Sequence, residues 1–156
     1  MIHIRRQILP QFLPTQKIIV EEERQPKMKK INQYLLISKL GSGSSSKVYL
    51  AQDQESHRFY AAKAIPVSER RHDGGQGVAS LDREIRNMKQ LNNEHLVKLH
   101  EALYAPKSDT AYLFLEWAEC GTLQDFIQRR QYFNESALAT IFHFVLKGLS
   151  SLHSVG

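Results

Sequence analysis

Three runs of strand-forming residues stand so close together between positions 34 and 65 that no crossover helix fits between them. Tyr34-Leu35-Leu36-Ile37-Ser38-Lys39-Leu40, Lys47-Val48-Tyr49-Leu50-Ala51 and Phe59 to Ile65 are rich in Tyr, Leu, Val and Ile, which suit a half-buried pleated surface. The connections are short and polar, Gly41 to Ser46 and then Asp53 to Arg58. A parallel pair needs a crossover of about a dozen residues or more, so an antiparallel meander is expected. Pro66, which cannot donate to a sheet ladder, should end it.

Beyond Pro66 the period changes. The polar stretch Val67 to Ala79, with Gly74, Gly75 and Gly77, predicts a loop, and Ser80 then suits the N-cap of a helix over roughly 81–91. Leu81, Ile85 and Met88 fall on one stripe of that helix, and Glu84 projects about 60° from it. Two more strand-like runs, Leu96 to Tyr104 and Ala111 to Trp117, flank the turn-prone Pro106-Lys107-Ser108-Asp109. Thr122 and Asp125 have the spacing of a capping box for a short helix, and Asn134 caps a longer one running to about His153. The order β-β-β-α-β-β-α-α predicts an α+β fold: a five-stranded antiparallel sheet with one helix, then the start of a helical subdomain.

The 156 residues are 42% hydrophobic and 24% charged, which fits a single soluble domain. The net charge of +5 is uneven: residues 1–33 hold seven Lys/Arg and three Glu, or +4, leaving +1 for the rest. Residues 1–33, with Pro10, Pro14 and Pro26 and one strand-like piece at Lys17 to Val20, read as a flexible basic extension. Such a leader could meet nucleic acid, an anionic membrane or an acidic protein; a solvated tail is the simpler reading. Cys120 is the only cysteine, so no internal disulfide forms, and no stretch reaches the ~20 apolar residues of a membrane span. His3, Arg5, Arg6 and Pro10 break any signal peptide, and a cytoplasmic location is expected. No two histidines stand at the i+3 or i+4 spacing of a metal pair, and no metal ligand set is expected in this chain.

Two features carry chemistry. Gly41-Ser42-Gly43-Ser44-Ser45-Ser46 sits at a hairpin turn, where glycines admit close approach to phosphate and successive N–H groups can face its oxygens. A flexible linker shares that composition, but strands on both sides argue against it. A dinucleotide loop needs a following helix and a third glycine; here a strand follows and Ser46 holds the third place. Lys63 lies in the most apolar part of its strand, between Ala61-Ala62 and Ala64-Ile65, and needs a partner or an anionic ligand. Glu84, near the buried edge of the next helix, is the candidate partner.

These residues resemble the small lobe of a eukaryotic protein kinase over positions 34–156. Gly41, Gly43 and Val48 match G-x-G-x-x-G-x-V, Lys63 matches the lysine of V-A-I-K, and Glu84 the helix C glutamate. Leu91 to Leu99 is similar to the segment leading into strand four, and Leu115-Glu116-Trp117-Ala118 to the gatekeeper and hinge. The resemblance implies a small lobe over 34–117 and a hinge with the first large-lobe helices over 118–156. It implies ATP as the nucleotide: Leu40, Val48 and Ala61 cover the adenine, Leu115 limits the rear pocket, and Glu116 and Ala118 offer backbone hydrogen bonds. Lys63, paired with Glu84, grips the phosphates, with Gly41, Ser42, Gly43, Ser44, Ser45 and Ser46 as the loop over them. Likeness within the family is to calcium/calmodulin-dependent kinases and their kinase-kinases, hence a serine/threonine type.

The last predicted helix carries Leu138, Ile141, Phe142, Val145, Leu149 and Leu152 on one broad face, with Phe144 opposite and Leu146 at the margin, and so expects burial from several sides. His153-Ser154-Val155-Gly156 resembles the approach to the family's His-Arg-Asp loop. The catalytic aspartate, and the asparagine and aspartate that hold Mg²⁺, are therefore expected beyond Gly156. The complete protein should phosphorylate protein Ser/Thr hydroxyls; these residues alone should bind ATP without catalysis. The alternative is a non-catalytic ATP-binding or kinase-interacting module whose final helix meets a protein partner.

Overall fold

The structure, a computed structural model, describes residues 20–22, 28–44, 46–68, 76–129 and 132–154. Seven strands form one sheet: β1 (Val20–Glu22), β2 (Lys29–Ile31), β3 (Tyr34–Ser42), β4 (Lys47–Asp53), β5 (Phe59–Pro66), β6 (Leu99–Ala105) and β7 (Thr110–Glu116), in the order β1-β2-β3-β4-β5-β7-β6. Every neighbouring pair is antiparallel. The meander β3–β4–β5 is as expected from its short turns. Helix α1 (Gln76–Gln90) carries the chain from β5 to the edge strand β6, and β7 returns to pair with β5. Helices α2 (Leu123–Gln128) and α3 (Glu135–His153) follow the sheet.

The sheet reaches beyond the five expected strands. Ile31 pairs with Tyr34 across the two-residue turn Asn32–Gln33, with Asn32 at a φ of 51°, a conformation Asn tolerates better than most residues. Ile31 and Tyr34 are both fully buried, so this hairpin belongs to the core. Of the expected extension over 1–33, residues 1–19 and 23–27 lie outside the described residues; of the strand-like piece at Lys17 to Val20 the structure describes Val20, the first residue of β1.

Helix α1 also differs from expectation, beginning by Gln76 with Ser80 inside it rather than at its N-cap. The reason is Val78, which continues the stripe of Leu81 and Ile85 one turn earlier and is buried with them. That burial outweighs the roughly 1 kcal/mol cost of Gly77 in a helix. The fourth and fifth expected strands begin at Leu99 and end at Glu116 instead of Leu96 and Trp117.

Two cores lie on opposite faces of the sheet. On one face α1 lays Val78, Leu81 and Ile85 against Ile65, Val67, Ala102, Ala111 and Leu113. On the other, the sheet curls into a half-barrel around Tyr34, Leu36, Ala51, Tyr60, Ala62, Ala64, Tyr112 and Phe114. The curl brings the Tyr34 and Phe114 rings into a stack at 3.7 Å, although β4 and β5 separate their strands in the sheet. The Tyr34 hydroxyl donates to Glu101 at 2.7 Å. Burial, with the Glu101 carboxylate beside it, pushes the Tyr34 pKa well above the ordinary tyrosine range.

Helix α2 has the expected capping box: the Thr122 hydroxyl accepts from the Asp125 N–H, and the Asp125 carboxylate accepts from the Thr122 N–H. Asn134 caps α3 through the Ala137 N–H. Helix α3 docks through the buried Gly148, where an added Cβ would lie 3.1 Å from the His95 carbonyl, and through Phe144, whose ring stacks on His95 at 4.8 Å. The burial expected for its apolar face is absent among the described residues: Phe142 is 64% exposed and Val145 56%.

Candidate functional site

Cross-strand register sets Ala102, Leu113, Lys63, Val48 and Gly41 in one row across β6, β7, β5, β4 and β3. Ala61, two residues from Lys63, lies on the same face and is flanked by Leu50 of β4 and Leu115 of β7. This is the α1 face. Lys63 therefore extends from an apolar surface beneath a helix, where an unanswered charge is costly.

The rotation of α1 supplies the answer. Leu81 and Ile85 are fully buried and fix which side of the helix faces the sheet. Glu84, at the edge of that side, accepts from the Lys63 Nζ at 2.7 Å. The side chains are 28% and 34% exposed, so solvent screens the pair and its direct contribution to stability is at most about 1 kcal/mol. Its larger effect is orientation: the amine is held at a fixed place on the face, with N–H donors left over for an anion.

The β3–β4 turn closes when the Gly43 N–H donates to the Ser46 carbonyl at 2.9 Å. Gly121 is the only described glycine with positive φ, so backbone conformation does not demand glycine at 41 or 43. Packing does not demand it either: a Cβ on Gly41 would meet nothing within 4 Å, and one on Gly43 would meet Ser46 Oγ at an ordinary 3.5 Å. The remaining use of two glycines is access to the backbone from outside. Ser42 and Ser44 are exposed and Ser46 is half-buried; Ser45 lies outside the described residues.

The structure thus gathers Val48, Ala61, Lys63 and Leu115 on one face with Glu84, and Gly41 at the end of the Lys63 row. Leu40 stands at a slip in the β3 register between Lys39 and Gly41 and is 48% exposed. Glu116 ends β7, where its N–H donates to the Lys98 carbonyl at 2.9 Å. That donor is spent, and only the Glu116 carbonyl could serve a ligand. Ala118 is exposed just past the strand. Leu113, beside Lys63 in the row, was not among the residues expected from sequence; the strand period of two, counted back from Leu115, points to it. Among the described residues, no group of three or more His, Cys, Asp or Glu stands together as metal ligands.

Residues 34–156 match a sequence model described as the protein kinase domain. Among curated proteins, the chain is 33% identical to the serine/threonine-protein kinase ssp1 of Schizosaccharomyces pombe, over 91% of this chain and 22% of that protein. It is 36% identical to mitogen-activated protein kinase kinase 3 of Arabidopsis thaliana, over 74% of this chain and 22% of that protein. A probable myosin light chain kinase of Dictyostelium discoideum is 31% identical over 81% of this chain and 38% of its own length. The chain therefore spans well under half the length of these relatives.

Proposed function

Because this chain belongs to the protein kinase domain family, we propose that the face carrying Lys63 binds ATP and that the protein acts as a serine/threonine protein kinase. The observation that carries this reading is the 2.7 Å pair between Lys63 and Glu84, set in a row of apolar side chains beside a glycine turn. The serine/threonine type rests on relatives such as ssp1, a serine/threonine-protein kinase.

The residues fit ATP in two respects. A fixed amine with spare donors suits a phosphate, and Val48, Ala61 and Leu115, together on the face, suit a flat apolar base. In this proposal Lys63 donates to phosphate oxygens while Glu84 holds its amine in place. The backbone of Gly41 to Ser46 lies over the phosphates, where glycine at 41 and 43 leaves the approach open and Ser46 narrows it at the far end. Leu40, Val48 and Ala61 exclude water from the base, the Glu116 carbonyl accepts from it, and the Ala118 N–H donates to it. When bound, ATP supplies the phosphoryl group for transfer to a protein hydroxyl. Mg²⁺ finds no carboxylate cluster among the described residues, and no step is assigned to it. The sequence also holds no His-Arg-Asp or Asp-Phe-Gly, so proton acceptance from the substrate hydroxyl is assigned to no residue of this chain.

The exposed apolar side chains of α3 favour a second reading, a non-catalytic ATP-binding or kinase-interacting module. Transfer from radiolabelled ATP to serine-containing peptides separates the two. For the nucleotide site itself, calorimetry with a non-hydrolysable ATP analogue is decisive. Lys63→Ala should lose a charge-assisted contact of roughly 1.5–3 kcal/mol, or about 10- to 100-fold in affinity. Equal affinity of the wild type and Lys63→Ala would remove Lys63 from the site.

A further inference from the structure

On the sheet face opposite Lys63, the half-barrel opens in a cleft of about 550 Å³ whose floor includes Leu36, Tyr49, Ala64 and Tyr112. Register puts three lysines on this face. Lys29 shares a row with Leu36 and Ala51, Lys39 with Tyr49 and Ala62, and Lys47 with Ala64 and Tyr112. All three line the cleft beside Ser42, Gly43, Ser44 and Ser46 of the glycine turn, and no Asp or Glu is among the described residues that do. Lys29 lies over the Tyr112 ring, 5.5 Å from its centre. Lys39 and Lys47 are exposed and form no ion pair with a described carboxylate. Three ammonium groups around one apolar mouth repel one another, so an anionic occupant gains from all three at once.

We propose that this mouth is a docking groove for an acidic segment of a partner protein, with carboxylates on the lysine rim and an apolar side chain on the floor. The shape favours a peptide. A bilayer needs a flat or convex apolar face, and this one is concave. A single-stranded nucleic acid stacks its bases on aromatic faces, whereas Tyr112 is 3% exposed and its ring is already covered by Lys29; a duplex offers phosphates to the lysines but no apolar group to the floor. The volume falls in the range that holds a few side chains. The groove shares the glycine turn with the nucleotide reading but not Lys63, which register places on the other face.

The test is fluorescence anisotropy on the full chain with a short fluorescein-labelled peptide of alternating Glu and Leu, and a control with Gln in place of Glu. The Glu peptide should bind and the Gln peptide should not, and rising salt should weaken binding. Lys39→Glu with Lys47→Glu should cost about tenfold or more. Both positions are exposed, so melting curves should match wild type, and Lys47→Gln alone should weaken binding by a smaller factor. Lys63→Ala should leave the anisotropy unchanged, which separates this groove from the Lys63 face. No binding of the Glu peptide, equal binding of the Gln peptide, full displacement by sulfate at matched ionic strength, loss of binding in Lys63→Ala, or wild-type affinity in the double variant would each overturn the proposal.

Discussion

An ammonium group set between alanines in an apolar strand is costly unless something nearby answers its charge. In this chain the answer comes from a residue 21 positions later, Glu84, at 2.7 Å from Lys63. The pair is partly exposed, so its removal should change direction more than stability. Glu84→Gln is expected to lower the melting temperature by no more than about 4 °C, the shift that about 1 kcal/mol produces in a chain of this size. Calorimetry should show it weakening ATP-analogue binding less than Lys63→Ala does, because the amine remains but is no longer held.

Two aspartates at this scale give opposite pH dependence. Burial raises the pKa of Asp53, but the Glu55 N–H, the Ser56 hydroxyl and the Ser56 N–H donate to it and hold it below the ordinary 3.8. The unfolded chain takes up this proton more readily, so the stability from Asp53 is present above 3.8 and is lost as pH falls through the lower folded value. Asp53→Asn should therefore flatten the acid limb of a plot of melting temperature against pH. Asp82 differs: burial, only partly countered by Arg86, raises its pKa, and its Oδ1 is buried without a hydrogen bond. Its carboxyl favours folding below 3.8 and this contribution is lost as pH rises through the raised value. Asp82→Asn should raise the melting temperature at pH 7 relative to wild type, with the difference shrinking on acidification.

Among the elements, the helix and strand identities were legible in the sequence where periodicity and caps agreed. Thr122 with Asp125, and Asn134 with Ala137, cap as their spacing implies. Thr122→Ala should cost about 1 kcal/mol and show as faster amide exchange over Leu123 to Gln128. Boundaries were legible only where a local signal existed. The start of α1 was hidden because three glycines mask the stripe that Val78 continues, and β2 because Asn32–Gln33 is a weaker hairpin signal than Asn-Gly. Docking of α3 was illegible, since nothing local marks Gly148 as the point of contact with the His95 carbonyl. Gly148→Leu should undock α3: amide exchange over Glu135 to His153 should rise while the sheet keeps its protection.

At the scale of the whole molecule, the sheet works as a divider. The α1 face gathers Val48, Ala61, Lys63, Glu84 and Leu115; the sequence singled out Lys63 and Glu84 by their apolar settings, and the other three through the resemblance to a kinase small lobe. The opposite face owes its form to curl, which stacks Tyr34 on Phe114 and brings Lys29 over Tyr112. Those contacts join residues about 80 positions apart and have no signature in a linear pattern. The lysine groove was unreadable for the same reason: Lys29, Lys39 and Lys47 become neighbours only through the ladder register.

The central claim, that Lys63 faces the phosphates of bound ATP, is tested most directly by an acyl-phosphate derivative of ATP, which transfers its acyl group to an amine held against the phosphates. After digestion, mass spectrometry should find the label on Lys63, and excess ATP should abolish it. Label on Lys39, Lys47 or other exposed amines, unaffected by ATP, with Lys63 unmodified, would contradict the account.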